Sequence, residues 1–168
     1  MKQKSSSAMI ERYEERLKKD KRSLSYAPLA DLYRKNGLFD KALETLKQGL
    51  TFHSDHQLGR LVLARVYFDE GKIEFSYKIL RPLVEGDPLD FLLHQLYAPI
   101  CEALQLKEEA LKSYKVLLYE RPQEKKFQEK VRELEEETQS DWKEKLEEKS
   151  FADLLVRKPS LKEEIKEE

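Results

Sequence analysis

Residues 25–53 read SYAPLADLYRKNGLFDKALETLKQGLTFH, two apolar-striped segments on either side of a short break at Asn36 and Gly37. Leu29, Leu32, Leu43, Leu46 and Leu50 fall at the steps of three and four that mark one face of a helix. The stretch predicts two antiparallel helices that approach closely through small residues. One such pair cannot bury its own stripe, so the fold turns on whether the pattern recurs.

It recurs every 34 residues. With Ser23, Gln57 and Phe91 as first positions, the eighth position is Ala30, Ala64 and Ala98, where two helices touch and only a small side chain fits. The eleventh is Tyr33, Tyr67 and Cys101, and the fifteenth, in the turn between helices, is Gly37, Gly71 and Gln105. The twentieth is Ala42, Ser76 and Ala110, again a site of close contact. The twenty-fourth is Leu46, Leu80 and Tyr114, and the thirty-second, where the second helix must stop, is Ser54, Pro88 and Pro122.

Small, aromatic and proline residues at these places resemble the tetratricopeptide repeat, over about 102 of the 168 residues. The departures are local. Arg60 and His94 stand at the fourth position, where Tyr26 keeps the aromatic, and Ser54 stands where proline is usual. Residues 25–53 in particular resemble small bacterial members of the family.

The expected fold is therefore all-α, a right-handed helical solenoid of three helix pairs with an extra helix at each end. The repeats span 23–56, 57–90 and 91–124, with helices near 24–36 and 40–52, 58–70 and 74–86, and 92–104 and 108–120. Ile10, Tyr13 and Leu17 predict a helix over about 7–19 within an N-terminal segment, 1–22, that packs on the first repeat. Phe127, Val131 and Leu134 predict a capping helix within 125–139. The tail, 140–168, carries Trp142, Leu146, Phe151, Leu154 and Leu155 among many charges, and reads as helix to about 157 and as disorder beyond. Pro82 and Pro99 fall inside helices and are expected to kink them.

Composition agrees with a helical class: 39% charged and 39% hydrophobic residues, with only 5 Gly and 6 Pro. A net charge of -1 supplies no basic surface for nucleic acid. The charge is unevenly spread, however: residues 1–22 carry 8 basic and 4 acidic groups, whereas 123–168 carry 11 basic and 15 acidic. One cysteine, Cys101, forms no internal disulfide and points to a reducing compartment. No signal peptide or membrane span is read from the sequence, and a cytoplasmic location is expected.

Chemistry finds little to work with. His53 and His56 flank Asp55 in a turn but lack the further ligands a structural zinc site needs, so they read as turn residues. His94 and Cys101 read as packed side chains, and no glycine-rich phosphate loop occurs. No catalytic residue, cofactor or metal is expected.

The resemblance implies that the first helices line a concave groove suited to an extended peptide or a partner's helix. Projecting the second, fifth, ninth and twelfth positions gives Leu24, Ala27, Asp31 and Arg34, then Leu58, Leu61, Arg65 and Phe68, then Leu92, Gln95, Pro99 and Glu102. Arg34, Arg65 and Phe68 are the expected anchors, since arginine and aromatics dominate interface energetics. The leucines have an alternative role in packing between helices. Family members that clamp a C-terminal carboxylate on Hsp70 or Hsp90 do so with Lys and Asn, and no such cluster lines this groove.

The function expected is a non-enzymatic adaptor or scaffold for protein partners. The alternatives are a cytoplasmic chaperone for secreted proteins and a small enzyme or metal-binding protein. Self-association through the C-terminal tail is a further expectation, suggested by its apolar residues and by the opposite charge of the two ends.

Overall fold

A computed structural model describes residues 2–156, with side chains for 7–143. Every element in that range is a helix: α1 (Lys2–Lys19), α2 (Tyr26–Lys35), α3 (Phe39–Phe52), α4 (Gln57–Asp69), α5 (Ile73–Gly86), α6 (Phe91–Ala103), α7 (Lys107–Glu120) and α8 (Lys125–Val156). Pro28 lies in the first turn of α2, where its missing N–H leaves no bond unmade. Pro82 and Pro99 lie inside α5 and α6, which continue on both sides of them.

The turns that join each pair are built alike. At the end of α2, the Leu38 N–H donates to the Tyr33 carbonyl at 2.9 Å and the Gly37 N–H to the Arg34 carbonyl at 2.9 Å. The same two bonds recur as Lys72 to Tyr67 and Gly71 to Phe68, and as Leu106 to Cys101 and Gln105 to Glu102. This double bond pattern places one residue per turn in the left-handed region. That residue has φ of 73° at Gly37, 76° at Gly71 and 58° at Gln105.

Each pair closes through its small residues. Ala30, Ala64 and Ala98 are fully buried, as are Ala42, Ser76 and Ala110 opposite them. In the second pair the Ser76 hydroxyl donates to the Ala64 carbonyl at 2.8 Å, so the side chain of one helix reaches the backbone of the other.

A second close fit holds the first repeat to its neighbour. Tyr26, 1% exposed, fills a slot between α3 and α4: a Cβ on Gly49 would lie 2.1 Å from its ring, and one on Gly59 2.5 Å from its hydroxyl. The hydroxyl shares a 2.8 Å hydrogen bond with His56 Nδ1. His53 stacks nearly parallel to the Tyr26 ring and forms a 2.6 Å hydrogen bond to the Arg22 carbonyl through Nε2. Burial, and then repulsion from His53, pulls the His56 imidazole below its ordinary pKa. Both histidines thus belong to the packing of Tyr26.

The pairs stack so that α2 packs on α4 and α4 on α6, whereas the backbones of α3, α5 and α7 stay farther apart, with the Tyr77 hydroxyl of α5 reaching across to Glu109 of α7 at 3.0 Å. The first helices therefore form the inner layer of a curved array. Two core clusters run through it, one around Tyr26, Leu46 and Val62 and one around Leu80, Tyr97 and Leu117.

Half-repeats close both ends. α1 packs on α2 and α8 packs on α7, as α3 packs on α4 and α5 on α6. Along α8, Phe127, Val131 and Leu134 are buried, one period of 34 after Leu93, Tyr97 and Ile100. Arg132 stands where each full repeat has its buried alanine, and it is exposed. α8 also runs unbroken through the boundary that the sequence reading places at 139–140. Between Lys125 and Val156 the chain has no glycine or proline and is rich in helix-forming Glu and Lys, so nothing stops it. The disorder expected beyond 157 lies outside the described residues.

Three substitutions test this account by urea denaturation. Gly49→Ala is expected to destabilise the chain by about 2 kcal/mol or more, because the new methyl meets the Tyr26 ring. Gln105→Gly is expected to stabilise it by about 1 kcal/mol, since glycine takes the left-handed conformation without strain. Gly37→Ala, in open space, is expected to cost about 1 kcal/mol through the backbone alone.

Candidate functional site

On a helix each residue turns about 100°, so the second and ninth positions of a repeat share a side, opposite the fourth, eighth and eleventh. Ala64 and Tyr67 of α4 face α5, which leaves Leu58 and Arg65 on the inner surface. The equivalents on α6 are Leu92 and Pro99, and in the first repeat Leu24 and Asp31.

The three second-position leucines form a ladder along this surface. Leu24 is 51% exposed, Leu58 46% and Leu92 53%, so each offers an apolar group to solvent at one repeat's spacing. Gln95 is exposed beside Leu92, and Arg65, Phe68 and Pro99 are half-buried. Arg65 has neither a hydrogen bond nor an ion pair among the described residues.

Ala27 and Leu61, which the sequence reading places on the binding surface, are buried in the core instead. In these two repeats the fifth position packs into the core, whereas in the third Gln95 at the same position is exposed.

Arg34 is not available as an anchor either. Its guanidinium bonds Asp31 at 2.9 Å and Asp69 at 2.5 Å, tying α2 to α4. Lys35 adds a 2.6 Å pair with Asp31. The Asp31 carboxyl is held below its ordinary pKa by these two cations, against a burial effect that acts the other way. Arg34 and Asp69 are 35 residues apart, one repeat plus one, so the 34-residue register puts them on adjacent first helices, but the projection of single positions onto the groove takes no account of such pairs.

At the far end Glu102 is similarly engaged. It accepts from the Tyr114 hydroxyl at 2.7 Å and pairs with Lys130 of α8 at 2.9 Å. The open part of the groove is thus its middle, between two ion-paired ends.

Other polar groups are spent on holding the array together. Glu109 accepts from Tyr77 at 3.0 Å and from Tyr97. Tyr33 donates to Glu14 of α1 at 2.5 Å, and burial followed by this carboxylate pushes its pKa up to about 12. Cys101 is fully buried, and burial pushes its thiol up to about 12, so no thiolate is presented for nucleophilic chemistry. Among the described residues no group of three or more His, Cys, Asp or Glu could hold a metal ion.

Neither a protein-family model nor a curated protein sequence matches the chain. Solved structures do. The first TPR domain of human RPAP3 covers 70% of this chain and 92% of its own, with 20% identity and a TM-score of 0.58. The fold is that of a tetratricopeptide repeat array. The first TPR of Spaghetti (RPAP3), bound to the HSP90 peptide SRMEEVD, is similar at 19% identity and a TM-score of 0.59, over 70% of this chain and 96% of that one. A MamA structure, described as MamA AMB-1, is similar at 23% identity and a TM-score of 0.68 over 82% of each chain. At these identities the likeness concerns the fold alone.

The division of roles among the arginines has a direct check. Arg34→Ala is expected to cost about 1 kcal/mol in chemical denaturation, because it leaves Asp31 and Asp69 without their shared cation. Arg65→Ala is expected to change stability by less than about 0.5 kcal/mol, because it breaks no pair.

Proposed function

We propose that this tetratricopeptide array is a non-enzymatic adaptor or scaffold that holds a partner's peptide or helix along its inner face. The observation that carries the reading is the ladder of half-exposed leucines at Leu24, Leu58 and Leu92, flanked by the unpaired Arg65. A regularly spaced apolar row on a concave layer matches an amphipathic segment better than a small ligand, because it offers a repeating set of shallow contacts. Arg65 adds a preference for a segment with a carboxylate beside its apolar residues.

The peptide-bound Spaghetti (RPAP3) array supports the general mode, a TPR fold that holds a peptide. A carboxylate clamp is not part of the proposal here: no cluster of Lys and Asn lines the inner face, and Arg34 in the first repeat is held by Asp31 and Asp69. The buried Cys101 thiol and the engagement of the half-buried Asp31, Glu102 and Glu109 by a cation or a tyrosine are in keeping with a binding role. No helix among the described residues is long and apolar enough to cross a membrane. A cytoplasmic, bacterial setting is part of the same proposal.

Display of a random peptide library against the full chain tests it. Selected peptides are expected to carry apolar residues with a flanking Asp or Glu, and to lose about tenfold or more in affinity to Leu58→Asp and to Arg65→Glu. Peptides that bind both variants as well as the parent chain would place the working surface elsewhere.

A further inference from the structure

α1 packs on α2 but not on α3, and between α1 and α3 lies a cleft of about 810 Å³. Its floor is apolar, formed by Leu17, Leu29 and the Tyr26 ring, with Phe52, 47% exposed, at one edge. Gly49 leaves the wall low at the point where the later repeats carry Leu83 and Leu117. The rim is cationic: Lys18, Lys21 and Lys47 are exposed and have no carboxylate partner among the described residues. The single carboxylate of the lining, Glu14, is occupied by the Tyr33 hydroxyl. Such a cleft suits a short segment with apolar residues on one side and carboxylates on the other.

The chain contains one. Residues 161–168 read LKEEIKEE, with Leu161 and Ile165 four apart and Glu163, Glu164, Glu167 and Glu168 around them. This segment lies outside the described residues, and α8 fixes where it can go. α8 starts beside the C-terminus of α7, along the same edge of the array as the C-terminus of α3 that lines the cleft, and runs antiparallel to α7, with Lys107 paired to Asp141 and Lys115 to Glu135. At 1.5 Å per residue its 32 residues carry Val156 about 48 Å toward the opposite edge. Leu161 is five residues farther, a reach of at most about 18 Å. Three spacings of about 8–10 Å between first helices add to the gap. The segment cannot return to the cleft of its own chain.

We infer that the acidic segment 161–168 of one copy docks in the α1–α3 cleft of a second copy. Leu161 and Ile165 cover the Tyr26–Leu29 floor beside Phe52, and the glutamates meet Lys18, Lys21 and Lys47. The contact is heterologous, so it leaves the leucine ladder of the inner face open. It does not depend on the proposed groove function.

Sedimentation velocity on the full chain, from low to several hundred micromolar, tests the inference. Reversible association is expected, weakened about tenfold or more by Leu161→Ser with Ile165→Ser, by Lys18→Glu with Lys47→Glu, and by raised salt. Combining Lys18→Glu and Lys47→Glu with Glu164→Lys and Glu167→Lys is expected to restore it. All of these positions lie on the surface or in the tail, and helical circular dichroism checks that each variant is folded. A chain that stays monomeric throughout overturns the inference. So does an association that survives both sets of substitutions, or one abolished by Leu58→Asp in the inner face.

Discussion

The architecture depends on how closely two helices of a pair can approach. Fully buried alanines on the first helix and Ala42, Ser76 or Ala110 on the second set that distance three times over. Because only a methyl or a hydroxymethyl group stands between the backbones there, the larger residues around the contact, such as Leu46, Leu80 and Tyr114, interlock at a fixed height. Equal pairs then stack with equal offsets, and the first helices form one continuous inner surface. A larger residue at any of the six positions would separate one pair and shift every repeat beyond it.

Much of this was legible in the amino-acid sequence, because it rests on residue size and backbone conformation. Alanine at the eighth position and glycine at the fifteenth state their roles locally, and Gln105, at the fifteenth position of the third repeat, keeps the left-handed turn without glycine. The site was less legible. Arg34 reads as an exposed cation until its reach to Asp69 of the next repeat is seen. Ala27 and Leu61 share a period with the true inner-face leucines, and a few tens of degrees of helix rotation decide which of them is buried. The fit of Tyr26 between Gly49 and Gly59 joins three separate helices, and no single-residue pattern encodes such a juxtaposition.

Half-buried tyrosine–carboxylate bonds supply the second layer of order. Tyr33 reaches Glu14, Tyr77 and Tyr97 share Glu109, and Tyr114 reaches Glu102, which also binds Lys130. Each bond joins different helices, and together they tie α1 to α2, α5 and α6 to α7, and α6 to α7 and α8. A charged acceptor makes such bonds stronger than neutral ones and directional where apolar contact is not. They hold repeats in register that hydrophobic burial alone would only hold together.

Arg132 bears on how long a solenoid of this kind becomes. Repeat proteins present, at each end, a face that would accept another repeat, and an uncovered face invites endless stacking. By substituting a charged residue for the contact alanine while keeping Phe127, Val131 and Leu134 buried, α8 accepts the array on one side and refuses it on the other. With Arg132 in that place, the side of α8 equivalent to a pair contact meets water, so the close approach that builds each pair is not offered again there.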